Sequence, residues 1–263
     1  MSIREMKRTI NQPKTTINNS RDSGPVYEAV RLLGIFVACV PVMFVVTSAF
    51  LGSLNPAYSW LKNTISELIW AQHGWVLAVE FCIFGIALIV LALRLKINFA
   101  FDVKSKGALI LLMAIGIGFL VIAVFPTRAP GAPQSVAGLI HQNTVRAMTG
   151  LFPAACLLFG ASVKRGSKTG IIRIQSLAAG AIGILLVVPG AIATLTDAAW
   201  LGAIERIILM NGLLWIEVIT ISVTFPGVSH RLGRLFRTVF TAKDHIQAML
   251  PEMAGNITQR SVR

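Results

Sequence analysis

Six apolar runs, separated by short polar segments, dominate this sequence. They cover approximately 32–52, 75–93, 107–125, 147–163, 174–195 and 203–224. Each is near the roughly 20 residues that an α-helix needs to cross about 30 Å of hydrocarbon. Backbone polar groups inside lipid must be satisfied internally, so spans of this length fold as helices. The expected fold class is all-α: a polytopic membrane protein, a bundle of about six transmembrane helices, with both termini cytoplasmic. The fourth run is short, and its helix is expected to begin earlier, near Ser135. With 55% hydrophobic and 13% charged residues, the chain has too few charges to cover the surface of a soluble domain, for which about 25% is usual.

The basic residues fix an orientation. The N-terminal segment to Arg31 holds Arg4, Lys7, Arg8, Lys14, Arg21 and Arg31, and the C-terminal segment holds Arg231, Arg234, Arg237, Lys243, Arg260 and Arg263. Between spans two and three lie Arg94, Lys96, Lys104 and Lys106, and between spans four and five lie Lys164, Arg165, Lys168 and Arg173. These are 20 of the chain's 24 basic residues. The other four, Lys62, Arg128, Arg146 and Arg206, fall on the opposite side. Cytoplasmic loops collect Lys and Arg, so this alternation places both termini in the cytoplasm. Trp60, Trp70, Trp75 and Trp200 then sit near the outer boundary, where indole rings anchor helices. A net charge of +13 is explained by topology, without a nucleic-acid partner.

The organisation read from composition is a disordered basic tail over 1–25, a six-helix domain over 26–228 and a basic amphipathic tail over 229–263. No cleavable signal is evident, and the first span reads as a signal anchor. Over 229–250, Leu232, Leu235, Phe236, Val239, Phe240 and Ile246 recur at helical spacing, with basic residues beside the stripe. That pattern suits an interfacial helix drawn to anionic lipid at the cytoplasmic face. The expected partners are the bilayer and its anionic lipids, with a homo-oligomer or membrane partner possible. The expected location is the plasma (inner) membrane of a prokaryote.

Cys39, Cys82 and Cys156 all lie inside apolar runs, and His73, His141, His230 and His245 show no HxxxH or HExxH spacing, so neither a metal site nor a cofactor is expected. The acids are more informative. Glu80 in span two and Glu217 in span six are ionisable groups at membrane depth, which by default suggest function. His73 lies seven residues before Glu80 and would share its face on a continuous helix. The segment Thr64-Ile65-Ser66-Glu67 has capping-box spacing. A helix from Thr64 to Leu93 would exceed the membrane thickness, so it is expected to project outward or break near Gly74. Pro41, Pro153 and Pro189 interrupt spans, and Gly116, Gly118, Gly180, Gly183 and Gly190 would permit close helix contact. Phe125-Pro126 after span three is faintly echoed by Phe225-Pro226 after span six.

On the outer side stand Glu67, His141, Asp197, Glu205 and Arg206, with Arg128 in a turn-rich loop. Their chemistry suits acid–base work or anion binding. The alternative for each is a cap or ion pair that fixes a helix end, with Glu205 and Arg206 holding one another. Asn63-x-Ile65-Ser66, Phe125-Pro126, His141 and Glu205-Arg206, in order across roughly residues 30–225, resemble the bacterial and archaeal membrane family catalogued as domain of unknown function 998. That resemblance implies a six-helix membrane fold and no established reaction. Three roles remain open: a polar site at the outer face for a lipid, an envelope precursor or a small polar solute; a proton- or cation-linked transporter using Glu80 and Glu217; and a non-catalytic accessory subunit.

Overall fold

A computed structural model describes residues 25–99, 102–164, 169–225 and 227. The tail expected over 1–25 falls outside these residues except at its last position, and the amphipathic segment over 229–263 lies wholly outside them. All regular structure in the described residues is helical: α1 (Pro25–Ser53), a 3-10 helix (Ile65–Trp70), α2 (Trp75–Asn98), α3 (Val103–Val124), α4 (Val136–Ser162), α5 (Gly170–Leu195) and α6 (Leu201–Thr224). All six α-helices are long and apolar enough to cross a membrane. The chain is a multi-pass membrane protein.

Each expected run is found within or beside one helix. α4 does begin early: Ser135 is its N-cap, and the Ser135 hydroxyl accepts from the Gly138 amide at 3.0 Å. The break expected near Gly74 is also present, because the 3-10 helix stops at Trp70 and α2 starts at Trp75 with Gly74 as N-cap. The capping box at Thr64 does not form. Thr64 precedes a 3-10 helix, and its hydroxyl donates to Glu67 Oε1 at 3.2 Å instead of serving a backbone amide. His73 lies off the helix, exposed, in a left-handed turn with φ 64°. It therefore does not share the face of Glu80.

The chain divides into two units after Leu33. Among the described residues, the first holds the opening turns of α1 and an exposed Glu28–Arg31 ion pair at 3.9 Å. In the second, consecutive helices from α2 to α6 pack side by side, and α6 meets α2. Phe44 of α1 lies 6.0 and 5.6 Å, ring to ring, from Phe81 and Phe84 of α2. Small residues set the closest approaches. A Cβ on Gly116 would press on the Gly85 carbonyl, one on Gly180 on Leu157, and one on Gly183 on Pro153. Between α5 and α6, the buried Trp215 indole donates to the Ser176 hydroxyl at 3.0 Å, and the Asn211 amide donates to the Ala179 carbonyl at 2.9 Å. Such bonds hold helices together where no water competes. Facing outward are Ile110 and Ile117 of α3 and Ile182, Leu185, Val188 and Ile192 of α5, side chains whose natural solvent is lipid.

Candidate functional site

α2, α4 and α6 begin at the same end of the bundle at which α1, α3 and α5 finish. This is called the Tyr58 end; the other is the Arg94 end. At the Tyr58 end the connection between α1 and α2 folds back onto the start of α6. The first amides of an α-helix have no partner within it. Here the amides of Gly202 and Ala203 donate to the carbonyls of Lys62 and Leu61 at 3.1 and 3.0 Å. A Cβ on Gly202 would overlap the Asn63 carbonyl, so the approach needs glycine there.

Arg206, one turn further along α6, clamps the same loop. Its Nη1 donates to the carbonyls of Trp60 (2.8 Å), Asn63 (3.0 Å) and Gly202 (2.7 Å), and Nη2 donates to the Tyr58 hydroxyl. The guanidinium also lies 5.5 Å from the Tyr58 ring centre and 5.1 Å from that of Trp60, within cation–π range. Tyr58 in turn donates its hydroxyl to the Thr64 carbonyl at 2.9 Å. Burial is the main reason that the phenol is pushed up to about 12. It therefore stays protonated, and a donor, across the physiological range.

Glu205 takes a different direction. Adjacent helical residues point about 100° apart, and the Glu205 side chain reaches the 3-10 helix, where Oε2 accepts from the Ile65 amide at 2.6 Å. The Glu205–Arg206 ion pair, one of the two alternatives for these neighbours, does not form among the described residues: the cation is taken up by carbonyls and the anion by an amide. Glu205 is half-buried, and its Oε1 makes no hydrogen bond among the described residues. Glu67, half-buried, accepts from the Asn63 side-chain amide at 2.6 Å and from Thr64.

His141 belongs to a second cluster at the same end. It is 3% exposed, and its Nδ1 lies 2.8 Å from the Phe125 carbonyl. Since a carbonyl can only accept, Nδ1 carries a proton, and the buried Nε2 has no hydrogen-bond partner among the described residues. The two clusters are joined by Trp70, whose indole donates to the Thr127 carbonyl at 3.0 Å. Asp197, exposed with φ 47°, and the exposed Arg128 join neither cluster through a side-chain hydrogen bond or ion pair among the described residues. Of the outer candidates, then, Glu67, Glu205 and Arg206 come together, His141 stands apart, and Asp197 and Arg128 lie at the rim. Tyr58 and Trp60 were not read as site residues. No local spacing in the sequence marks them, because their partner lies nearly 150 positions away.

The intramembrane carboxyls are isolated. Glu80 is 3% exposed, neither oxygen has a hydrogen-bond partner within 3.5 Å and in good geometry among the described residues, and the Thr47 hydroxyl of α1 is its polar neighbour. Glu217 is half-buried, with Oε2 unpartnered. Counted from the starts of their parallel helices, the two are roughly 16 Å apart along the axis, so they do not form a pair. No cluster of three or more metal-type ligands occurs among the described residues.

The residues that suggested a family thus prove to be contact partners: the Asn63–Ser66 segment with Glu205 and Arg206, and Phe125 with His141. The family model described as "Protein of unknown function (DUF998)" matches residues 37–222, from within α1 to near the end of α6. The chain belongs to that family. No curated protein and no solved structure matches it.

Proposed function

We propose that this member of the family works at its Tyr58 end, that this end is non-cytoplasmic, and that Glu205 is the group that engages a ligand. What supports the orientation is the placement of 20 of 24 basic residues in segments that would lie at the Arg94 end or in the two terminal tails. What supports the site is the Glu205 carboxyl. One oxygen is fixed by the Ile65 amide and the other takes no hydrogen bond among the described residues, so the group is a positioned acceptor with one oxygen to spare. A carboxylate held in this way binds hydroxyl or ammonium donors or exchanges a proton with them. The ligand is accordingly a lipid, an envelope precursor or a small polar solute that presents such donors. Glu67 adds negative charge beside it, and Arg206 and Tyr58 position the loop without touching the ligand. The membrane is the plasma membrane of a prokaryote.

Complementation of a deletion strain tests this. Glu205→Gln, expressed at the native level, is expected to lose the phenotype, while Asp197→Asn and Arg128→Gln keep it. Topology reporters in the 126–134 loop and near Lys104 test the orientation, and an external signal from Lys104 would reverse it.

A second reading, proton- or cation-linked transport, is favoured by the two Glu80 oxygens in the bundle interior, which have no hydrogen-bond partner among the described residues. Flux in proteoliposomes that disappears with Glu80→Gln, and survives Glu205→Gln, would select it.

A further inference from the structure

Residues three or four apart on α4 fall on one stripe, and Asn143, Arg146, Gly150, Pro153, Leu157 and Gly160 form such a stripe. Half of it is packed against α5. Gly160 lies against Leu177, Leu157 against Gly180, and Pro153 against Gly183. The half toward the Tyr58 end is uncovered: Asn143, Arg146 and Gly150 are exposed, and a Cβ added at Gly150 would meet nothing within 4 Å. Further along α5, Gly190 lies against Ile208 of α6. Pro189, which has no amide proton to donate to the Leu185 carbonyl, lies in this half of α5. Beyond Gly183 the exposed side chains of α5, among them Ile184, Leu185, Val188 and Ile192, are all apolar, whereas the uncovered part of the α4 stripe carries Asn143 and Arg146.

Two registers fix the depth of Arg146. Met148 meets Gly118 of α3, and Pro153 meets Gly183 of α5. Counting residues from these contacts puts Arg146 about 6 Å inside the end of α3 and about 8 Å inside the end of α5. An arginine reaches outward over that distance, which brings its guanidinium to the headgroup layer. Its one polar contact among the described residues is a long one, from Nη1 to Asn143 Oδ1 at 3.4 Å, and it has no acidic partner there.

From these observations we infer that the α4–α5 seam seats one phospholipid. Its phosphate is held by Arg146 with Asn143, and one acyl chain runs over Gly150 along the apolar side chains of α5. The charge decides between occupants. A second copy of this chain would bring another Arg146 against the first, whereas a phosphodiester supplies the missing anion at the right depth and matches the fork of the guanidinium. Nothing in this argument depends on Glu205.

Native mass spectrometry of the full chain released from micelles provides the test. The probes are phosphatidylglycerol, diacylglycerol with the same chains, and the chain-free glycerophosphodiester headgroup. The native protein is expected to retain phosphatidylglycerol. Arg146→Gln should lower that retention roughly tenfold and leave diacylglycerol unchanged. Gly150→Leu should lower both, with Gly150→Ala as the milder variant if Leu impairs folding. Equal retention of phosphatidylglycerol by the native protein and Arg146→Gln would overturn the inference. So would headgroup binding as strong as that of the whole lipid, or a dimer crosslinked through a photoreactive residue at position 150.

Discussion

The two ends of the bundle use the same residue types in opposite ways. At the Arg94 end most polar groups act locally or close single helix ends. Asp102 caps α3, accepting from the Ser105 amide at 2.8 Å, and Arg173 donates to the Gly160 and Val163 carbonyls, at the C-terminus of α4, at 3.2 and 2.9 Å. Cations suit that position because a helix C-terminus is the negative end of its dipole. At the Tyr58 end, by contrast, a guanidinium and a carboxylate from adjacent residues of α6 reach about 140 positions back to hold a loop. Local closure engages the carboxylate of Asp102, whereas the long-range clamp leaves one oxygen of Glu205 without a hydrogen bond among the described residues. The difference is the reason to place function at the Tyr58 end.

The contrast breaks most readily at Arg206. Arg206→Ala removes three hydrogen bonds to the loop and one to Gly202 of its own helix and should cost about 3 kcal/mol, read as thermal unfolding in detergent and as protease cleavage within 54–64. Arg206→Lys should recover little, because an ammonium cannot reproduce the fork. Next come two glycines, one at each end. Gly202→Ala drives a Cβ into backbone at Asn63 and should cost about 1–3 kcal/mol. Gly34→Ala meets the ends of the Arg94 and Thr224 side chains, which can shift, and should cost less in the same melt. Tyr58→Phe removes one donor and one acceptor and should cost about 1 kcal/mol. In the native protein, the stability tied to the neutral phenol should fall as pH rises from 10.0 to about 12, and Tyr58→Phe should abolish that fall. The smallest effect belongs to Asp102, whose carboxyl is held below its usual value chiefly by the Ser105 amide. Its contribution is present above the ordinary carboxylate range and disappears as pH falls through the lowered value. Asp102→Asn should flatten that part of the acid melt.

Helix number, length and break points were legible because each follows from a continuous stretch of chain: apolar length gives the spans, and Gly74 and Ser135 mark ends. The clamp was legible only as a set of residue types. Glu205 and Arg206 look like an ion pair because they are neighbours in sequence, yet helical geometry turns them apart and sends each to a different part of the loop. Arg94 misled in another way. Counted as a loop charge, it is 7% exposed inside α2, where its Nη1 donates to the Thr224 hydroxyl at 2.9 Å. Topology counting needs only its side of the membrane, so its burial left no trace in the count. His73 misled because seven-residue spacing implies a shared face only where the helix is continuous, and the helix begins two residues after it.

The central claim is that Glu205 engages a ligand while Arg206 builds the end of the bundle. Glu205→Gln tests it most directly, with abundance, melting temperature and complementation measured on the same strain. The glutamine carbonyl can still accept from Ile65, so abundance should hold and stability should change by about 1 kcal/mol or less, while complementation is lost. If complementation instead falls only in proportion to abundance, Glu205 is part of the clamp and the claim fails.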